Sequence, residues 1–197
     1  MSTVALLGTS ADPPTTGHRA LLKGLLALYP RVATWASDNP MKPRQAPLAL
    51  RIALLEALVK AIDDPRLELV QELSSPWAIE TVRRARARWP DQAVVFVVGS
   101  DLVPQMPSWR RAEELLAGLE VAVAPRRGWS LDAAALERLR AMGARPRLLE
   151  LPVPASASSQ ARGGAGLPPD PAQVPEELWP LLQRHGLYGL TAHPAPP

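Results

Sequence analysis

Residues 93–99, Ala93-Val94-Val95-Phe96-Val97-Val98-Gly99, carry the strongest strand signal in the chain. They are an unbroken β-branched and aromatic run, stopped by a glycine. A strand apolar on every residue rather than every second one has no face for water, so it belongs inside a sheet covered on both sides. Working outward, the same type of run recurs as TVALL before Gly8, RVATWA (31–36), RLELV (66–70), LEVAVA (119–124) and RLLEL (147–151). Between these runs lie stretches with helical spacing. They cover 17–29 up to Pro30, a helix opened by Pro47 and running through Ala61, Trp77 to Trp89 before Pro90, Ser108 to Ala117, and Leu131 to Met142. Strand–helix alternation repeated in this way predicts an α/β fold, a Rossmann-like, doubly wound and mostly parallel sheet with a C-terminal helical segment near Glu176–Arg184.

With 197 residues the chain suits one core, and a single domain over residues 1–190 is expected. Proline is the compositional outlier, 23 residues, and ten of them follow Leu151. Residues 152–175 are therefore expected to form a mobile loop and linker, and 191–197 a disordered tail. Cysteine is absent and histidine is limited to His18, His185 and His193, which excludes disulfides, zinc-thiolate centres and thiol nucleophiles. The net charge of +3 comes from 19 arginines and three lysines, dispersed apart from Arg83, Arg84, Arg86 and Arg88. Those four alternate with alanine as on a solvated helix face, so no nucleic-acid partner is expected. No apolar stretch approaches a membrane span and the N-terminus lacks a signal peptide, so a cytoplasmic protein without membrane partner is expected.

In a doubly wound sheet the ligand sits outside the carboxyl ends of the strands, where strand order reverses. The first loop there is GTSADPPTTGH, residues 8–18. Gly8 permits close backbone approach, Thr9, Ser10, Thr15 and Thr16 offer hydroxyls, and Gly17 and His18 open a helix whose positive end suits an anion. A plain strand–turn–helix connection is the alternative. A histidine at a helix N-terminus is repelled by the dipole once protonated, so a structural reason for it is weak. The loop after the second strand holds Lys42 and Arg44. After Gly99 come Asp101, able to hold ribose hydroxyls or a magnesium-bound water, and Trp109, a flat face for an aromatic ring.

Together these loops resemble the nicotinate-nucleotide adenylyltransferases of the [HT]xGH nucleotidyltransferase superfamily, and most of all their cyanobacterial branch. Gly8, Thr9, Asp12, Pro13, Gly17 and His18 match the family's G-[ST]-F-D-P-x-H-x-G-H, while Ala11 and Thr15 stand for its phenylalanine and first histidine. Asp101 and Trp109 match G-x-D-x₇-W, and PRRG (125–128) resembles P-R-x-G. ASASSQARGG (155–164) resembles S-S-T-x-x-R, with Ala157 at its first position. SSPWAIETV (74–82) resembles S-Y-T-x-x-T, with Ala78 for a threonine, and the stretch ending in Gly186-Leu187-Tyr188 resembles the family's terminal motif.

The resemblance implies adenylyl transfer from ATP to nicotinate mononucleotide, with Mg²⁺ accompanying ATP and no protein-only metal site. It implies catalytic roles for His18, Thr15, Lys42 and Arg162. ATP and phosphate binding would fall to Gly8, Thr9, Ser10, Gly17, Gly99, Asp101, Ser158 and Ser159. Mononucleotide binding would fall to Trp109, Trp77, Ala78, Thr81 and Arg126. Another phosphorylated acceptor remains open, phosphopantetheine because of Thr15 and nicotinamide mononucleotide because of Ala78. A non-catalytic nucleotide-binding module remains open because of Ala11, Ala78 and Ala157, and a homo-oligomer is also left open.

Overall fold

The computed structural model describes residues 2–38, 46–126, 132–151, 161–162 and 169–192. Among them are six strands: β1 (Thr3–Thr9), β2 (Arg31–Ala36), β3 (Leu67–Leu69), β4 (Ala93–Gly99), β5 (Glu120–Ala124) and β6 (Arg145–Leu148). They form one sheet in the order β3-β2-β1-β4-β5-β6, and every neighbouring pair is parallel. The helices include α1 (Thr16–Leu28), α2 (Leu48–Ile62), α3 (Ala78–Arg88), α4 (Ala112–Leu116), α5 (Ala133–Ala141) and, near the C-terminus, α6 (Trp179–Arg184).

The continuous apolar strands divide their side chains between two cores. Val4, Leu6, Phe96 and Val98 face α3, α4 and α5, whereas Ala5, Leu7, Val95 and Val97 face α1, α2 and the C-terminal segment. This is the doubly wound arrangement expected from the pattern, and it makes a polar residue costly on either face of a central strand. Thr34 in β2 meets that cost by a hydrogen bond, fully buried with its hydroxyl donating to the Leu7 carbonyl at 2.8 Å.

Two elements depart from expectation. The helix expected over Ser108–Ala117 is instead a 3-10 turn over Val103–Ser108, an extended Trp109 and the five-residue α4. Pro104 and Pro107 suit the tighter turn, and Arg111 takes a left-handed φ of 55° that no hydrophobic period reports. The last strand begins two residues before the apolar run RLLEL and ends within it. Leu149 and Leu151 leave the edge to pack on the α1 side, Leu151 lying against Gly24, and Pro146 is tolerated because β6 has one neighbour. Pro180 sits in the first turn of α6, where its missing N–H costs nothing.

Three of the four arginines on α3 are paired with groups on the helix and on its neighbours. Arg83 donates to Glu80 and Glu114, Arg84 to the Glu72 and Ser74 carbonyls, and Arg88 to Glu68 while lying 5.2 Å over Trp89. That pattern is a solvated helix face.

Gly8 pairs with Trp35 across β1 and β2, and a Cβ on Gly8 would stand 2.6 Å from the indole. Gly8→Ala therefore has to displace a buried ring, and it is expected to cost about 1–3 kcal/mol in urea denaturation. A variant as stable as the parent would mean that the ring moves freely.

Candidate active site

Strand order reverses between β1 and β4, whose following helices leave on opposite faces and open a crevice at the carboxyl ends. The N-terminus of α1 points its first turn there. Thr15 is the N-cap, extended (φ −120°, ψ 169°) and fully buried, and its hydroxyl accepts from the His18 N–H at 3.3 Å. His18 replies with its side chain: Nδ1 accepts the Thr15 backbone N–H at 3.0 Å and lies 2.8 Å from the Thr15 hydroxyl oxygen. This reciprocal pair is a capping box in which histidine takes the place usual for Glu or Gln. A structural reason for His18 therefore exists, contrary to the expectation drawn from the dipole alone.

The box fixes chemistry as well as structure. A nitrogen that accepts from a backbone N–H carries no proton, so in the neutral ring the proton is on Nε2. Burial lowers the His18 pKa from 6.5 to about 4, and the Arg126 guanidinium adds to the shift. At neutral pH the ring is thus an uncharged donor at the positive end of a helix, ready for an anion.

Arg126 follows β5 and joins the crevice. Its backbone N–H donates to the Ser100 hydroxyl (3.1 Å), and its guanidinium pairs with Asp101 at 2.5 Å. Gly99 makes room for that carboxylate, since a Cβ there would stand 2.4 Å from the Asp101 Oδ1 atom. Thr9 closes β1, buried, with its hydroxyl accepting the Ala11 N–H, and the Ser10 carbonyl is held by Arg51. Gly17 is buried in the first turn of α1.

On the far side of the crevice Trp109 packs edge-to-face on Phe96, centroids 6.3 Å apart and planes at 80°, so its indole plane is set by the core. Trp77, 45% exposed, caps α3, and the Arg110 guanidinium lies 4.8 Å over its ring, bridging the loops before α3 and α4. Ala78 begins α3, partly buried against the core. Thr81 is buried and its hydroxyl donates to the Leu73 carbonyl at 2.9 Å, which makes it a brace for this loop rather than a hydroxyl turned toward a ligand. Lys42, Ser158 and Ser159 lie outside the described residues.

Residues without a sequence-stated role complete the frame. Arg51 is 2% exposed on α2, and it donates to the carbonyls of Ala46, Ser10 and Ser37 and to Asp38. It ties the loops after β1 and β2 together. Its signal was present, an arginine sharing a helix face with Leu54, Leu55 and Leu58. Asp12, 1% exposed, accepts from Ala46, Arg162 and Tyr188. Among the described residues no cluster of three or more His, Cys, Asp or Glu could hold a metal ion.

Comparison with known proteins identifies the family. The cytidylyltransferase-like family model matches residues 6–163. A protein of Synechocystis sp. named "Probable nicotinate-nucleotide adenylyltransferase" is 35% identical over 205 residues, covering 94% of this chain and 98% of its own. The chain belongs to the nicotinate-nucleotide adenylyltransferase family. A second member of the family, from Symbiobacterium thermophilum, is 33% identical with 95% and 96% covered. The fold is that of the Plasmodium falciparum nicotinic acid mononucleotide adenylyltransferase solved in complex with NaAD, with a TM-score of 0.79, 16% identity, and 95% and 98% of the two chains covered.

Because the folded His18 pKa is depressed, its neutral ring contributes stability that is full above about pH 6.5 and lost as pH falls toward 4. Urea titrations across that window should show a loss on the order of 2–3 kcal/mol beyond that of His18→Gln, which keeps the capping acceptor without titrating. Equal slopes for the two proteins would contradict the assignment.

Proposed function

We propose that this chain transfers the adenylyl group of ATP to the phosphate of nicotinate mononucleotide, forming deamido-NAD and releasing pyrophosphate. The names carried by its relatives support the substrates, and one observation carries the chemistry: the His18 proton is on Nε2, at a helix N-terminus beside the β1–β4 crevice. A phosphate oxygen of the mononucleotide attacks the α-phosphorus, a new P–O bond forms, and the bond to the β-phosphate breaks with its electrons leaving on pyrophosphate. The nucleophile is already an anion at neutral pH, so no general base or covalent intermediate is needed. What the protein supplies is positioning and charge stabilisation.

In this reading His18, oriented by Thr15, donates to the α-phosphate as charge grows there. Gly8, Thr9, Ser10 and Gly17 shape the backbone around it. Arg162, with Ser158 and Ser159, holds the β- and γ-phosphates. Lys42 neutralises the mononucleotide phosphate, with Arg126 alongside because its charge is felt at His18. Gly99 and Asp101 receive a ribose, Trp109 stacks on the pyridine, and Trp77 and Ala78 form the wall of that subsite, braced from behind by Thr81. Mg²⁺ in this reading comes bound to ATP, where it offsets phosphate charge. The strand-end loops offer hydroxyls and the Arg126-paired Asp101, so phosphate oxygens and water would provide most of its ligands. Residues 1–190 act as one domain. A cytoplasmic site of action belongs to the same proposal, and no helix among the described residues is long and apolar enough to cross a membrane.

The test is an assay of ATP and Mg²⁺ with nicotinate mononucleotide, its amide, or phosphopantetheine. Dinucleotide formation from the acid is expected to dominate. Product from phosphopantetheine alone, or none from any acceptor, would sink the reading. His18→Ala should lower kcat about 10²–10³-fold, the usual cost of a lost transition-state donor, and activity within about threefold of the parent would remove His18 from the reaction. Trp109→Ala should raise KM for the mononucleotide about tenfold, as expected for one lost stacking partner, and leave that for ATP near the parental value.

A further inference from the structure

Tyr188 stands in a conformation that its side chain disfavours. Within the short turn Leu187–Gly189 it has φ 54° and ψ 41°, the left-handed region, which costs a non-glycine residue roughly 1–2 kcal/mol. Gly186 and Gly189 on either side also have positive φ, 57° and 83°, at none of that cost. A turn needing only this path has no use for a bulky aromatic at its centre.

The strained backbone delivers the phenol hydroxyl to Asp12, 176 residues earlier, where it donates to Oδ1 at 2.6 Å. The same oxygen accepts the Ala46 N–H at 3.0 Å. The other carboxylate oxygen faces Arg162, whose Nη1 lies 3.1 Å away and also donates to the Asp12 backbone carbonyl at 2.6 Å. The carboxylate is 1% exposed, so each donor matters to its retention inside the protein. Burial and the nearby carboxylate push the Tyr188 hydroxyl well above its ordinary range, so it remains a donor through neutral pH. Arg162 is tethered through one nitrogen and keeps about a third of its side chain exposed (34%). A guanidinium anchored at one corner and still partly exposed has one of its rotations removed before a phosphate arrives.

We propose that Tyr188 is a positioning residue for ATP: through the Asp12 carboxylate it sets the orientation of Arg162, so that the turn at 187–189 completes the triphosphate subsite. This rests on the assignment of Arg162 to the ATP phosphates. The turn does not depend on the hydroxyl for its own attachment. Val174, Leu178 and Leu182 are buried in the core beside α1 and α2, the Gln173 carbonyl accepts the Thr16 N–H at 2.9 Å, and Arg19 pairs with Glu177. Removing one oxygen atom from Tyr188 therefore leaves the segment docked and loosens only the Asp12–Arg162 pair.

The experiment is calorimetric titration of Tyr188→Phe with a non-hydrolysable ATP analogue, alongside KM values for ATP and for nicotinate mononucleotide. The analogue Kd and the ATP KM are expected to rise about tenfold, the factor for one charge-assisted hydrogen bond, with the mononucleotide KM within about twofold of the parent. In an Arg162→Met background the same change should weaken the analogue no further, because the group it orients is gone. Should Tyr188→Phe not fold, Asp12→Asn takes its place. It keeps an oxygen for Tyr188 and Ala46 but turns an amide toward Arg162, and it is expected to weaken ATP by a similar factor. Unchanged analogue affinity in the variant tested, equal weakening with and without Arg162, or a matched rise in both KM values would each overturn the proposal. A parent protein that binds the analogue with this coupling yet makes no dinucleotide would instead overturn the proposed reaction and leave the role of Tyr188 standing.

Discussion

Strand β1 pairs in parallel with β2 on one side and with β4 on the other, and those two ladders place everything else. Parallel neighbours cannot be joined by a tight turn, so the chain must cross over the sheet with a helix each time. Going from β1 toward β2 puts α1 and α2 on one face, and the return to β4 puts α3 on the other. At the seam the N-terminal turn of α1 faces the carboxyl ends of the strands. Gly8 at the end of β1 lets the Trp35 ring lie against the strand there. The crevice is thus a consequence of pairing order, and loop residues decorate it.

What sits at the seam shows economy of a particular kind. His18 caps α1, and the hydrogen bond that does so settles which ring nitrogen bears the proton. Structure and chemistry are then inseparable in that residue: a substitution that spoils the cap also unsettles the tautomer. Gly99 and Asp101 show the same coupling on β4, where the absent side chain of one makes the place for the carboxylate of the other. Arg126 then joins that carboxylate to the loop after β5.

The sheet was legible in the sequence because fully buried strands are apolar throughout, and AVVFVVG, RVATWA and TVALL need no tertiary information to be recognised. The loops were legible as a place, from the alternation, and in their chemistry from the residues that resemble a family. Three things were out of reach. The 3-10 path before Trp109 depends on Arg111 adopting positive φ, which periodicity does not carry. The role of Thr81 depends on a carbonyl eight residues away in sequence, so that a hydroxyl suited to a ligand turned out to be spent on the backbone. The Asp12 site gathers donors from residues 46, 162 and 188, a coincidence in space with no local period. Arg51 lay between these cases, since its place on an apolar helix face marked it as buried without naming its partners.

The span from Asp12 to Tyr188 also bears on how the molecule comes into being. Synthesis proceeds from the N-terminus at roughly 5–20 residues per second, and elements dock as they emerge. Strands β1, β2 and β3 can pair early, and β4 adds beside β1 later, yet the buried carboxylate of Asp12 waits for Arg162 and then for Tyr188 before its donors are complete. Until then it stands just after β1 with the Ala46 N–H as the one early donor of the three. Maturation of this centre is thereby timed to the emergence of residue 188, and a chain released short of it would hold a formed sheet around an unfinished pocket.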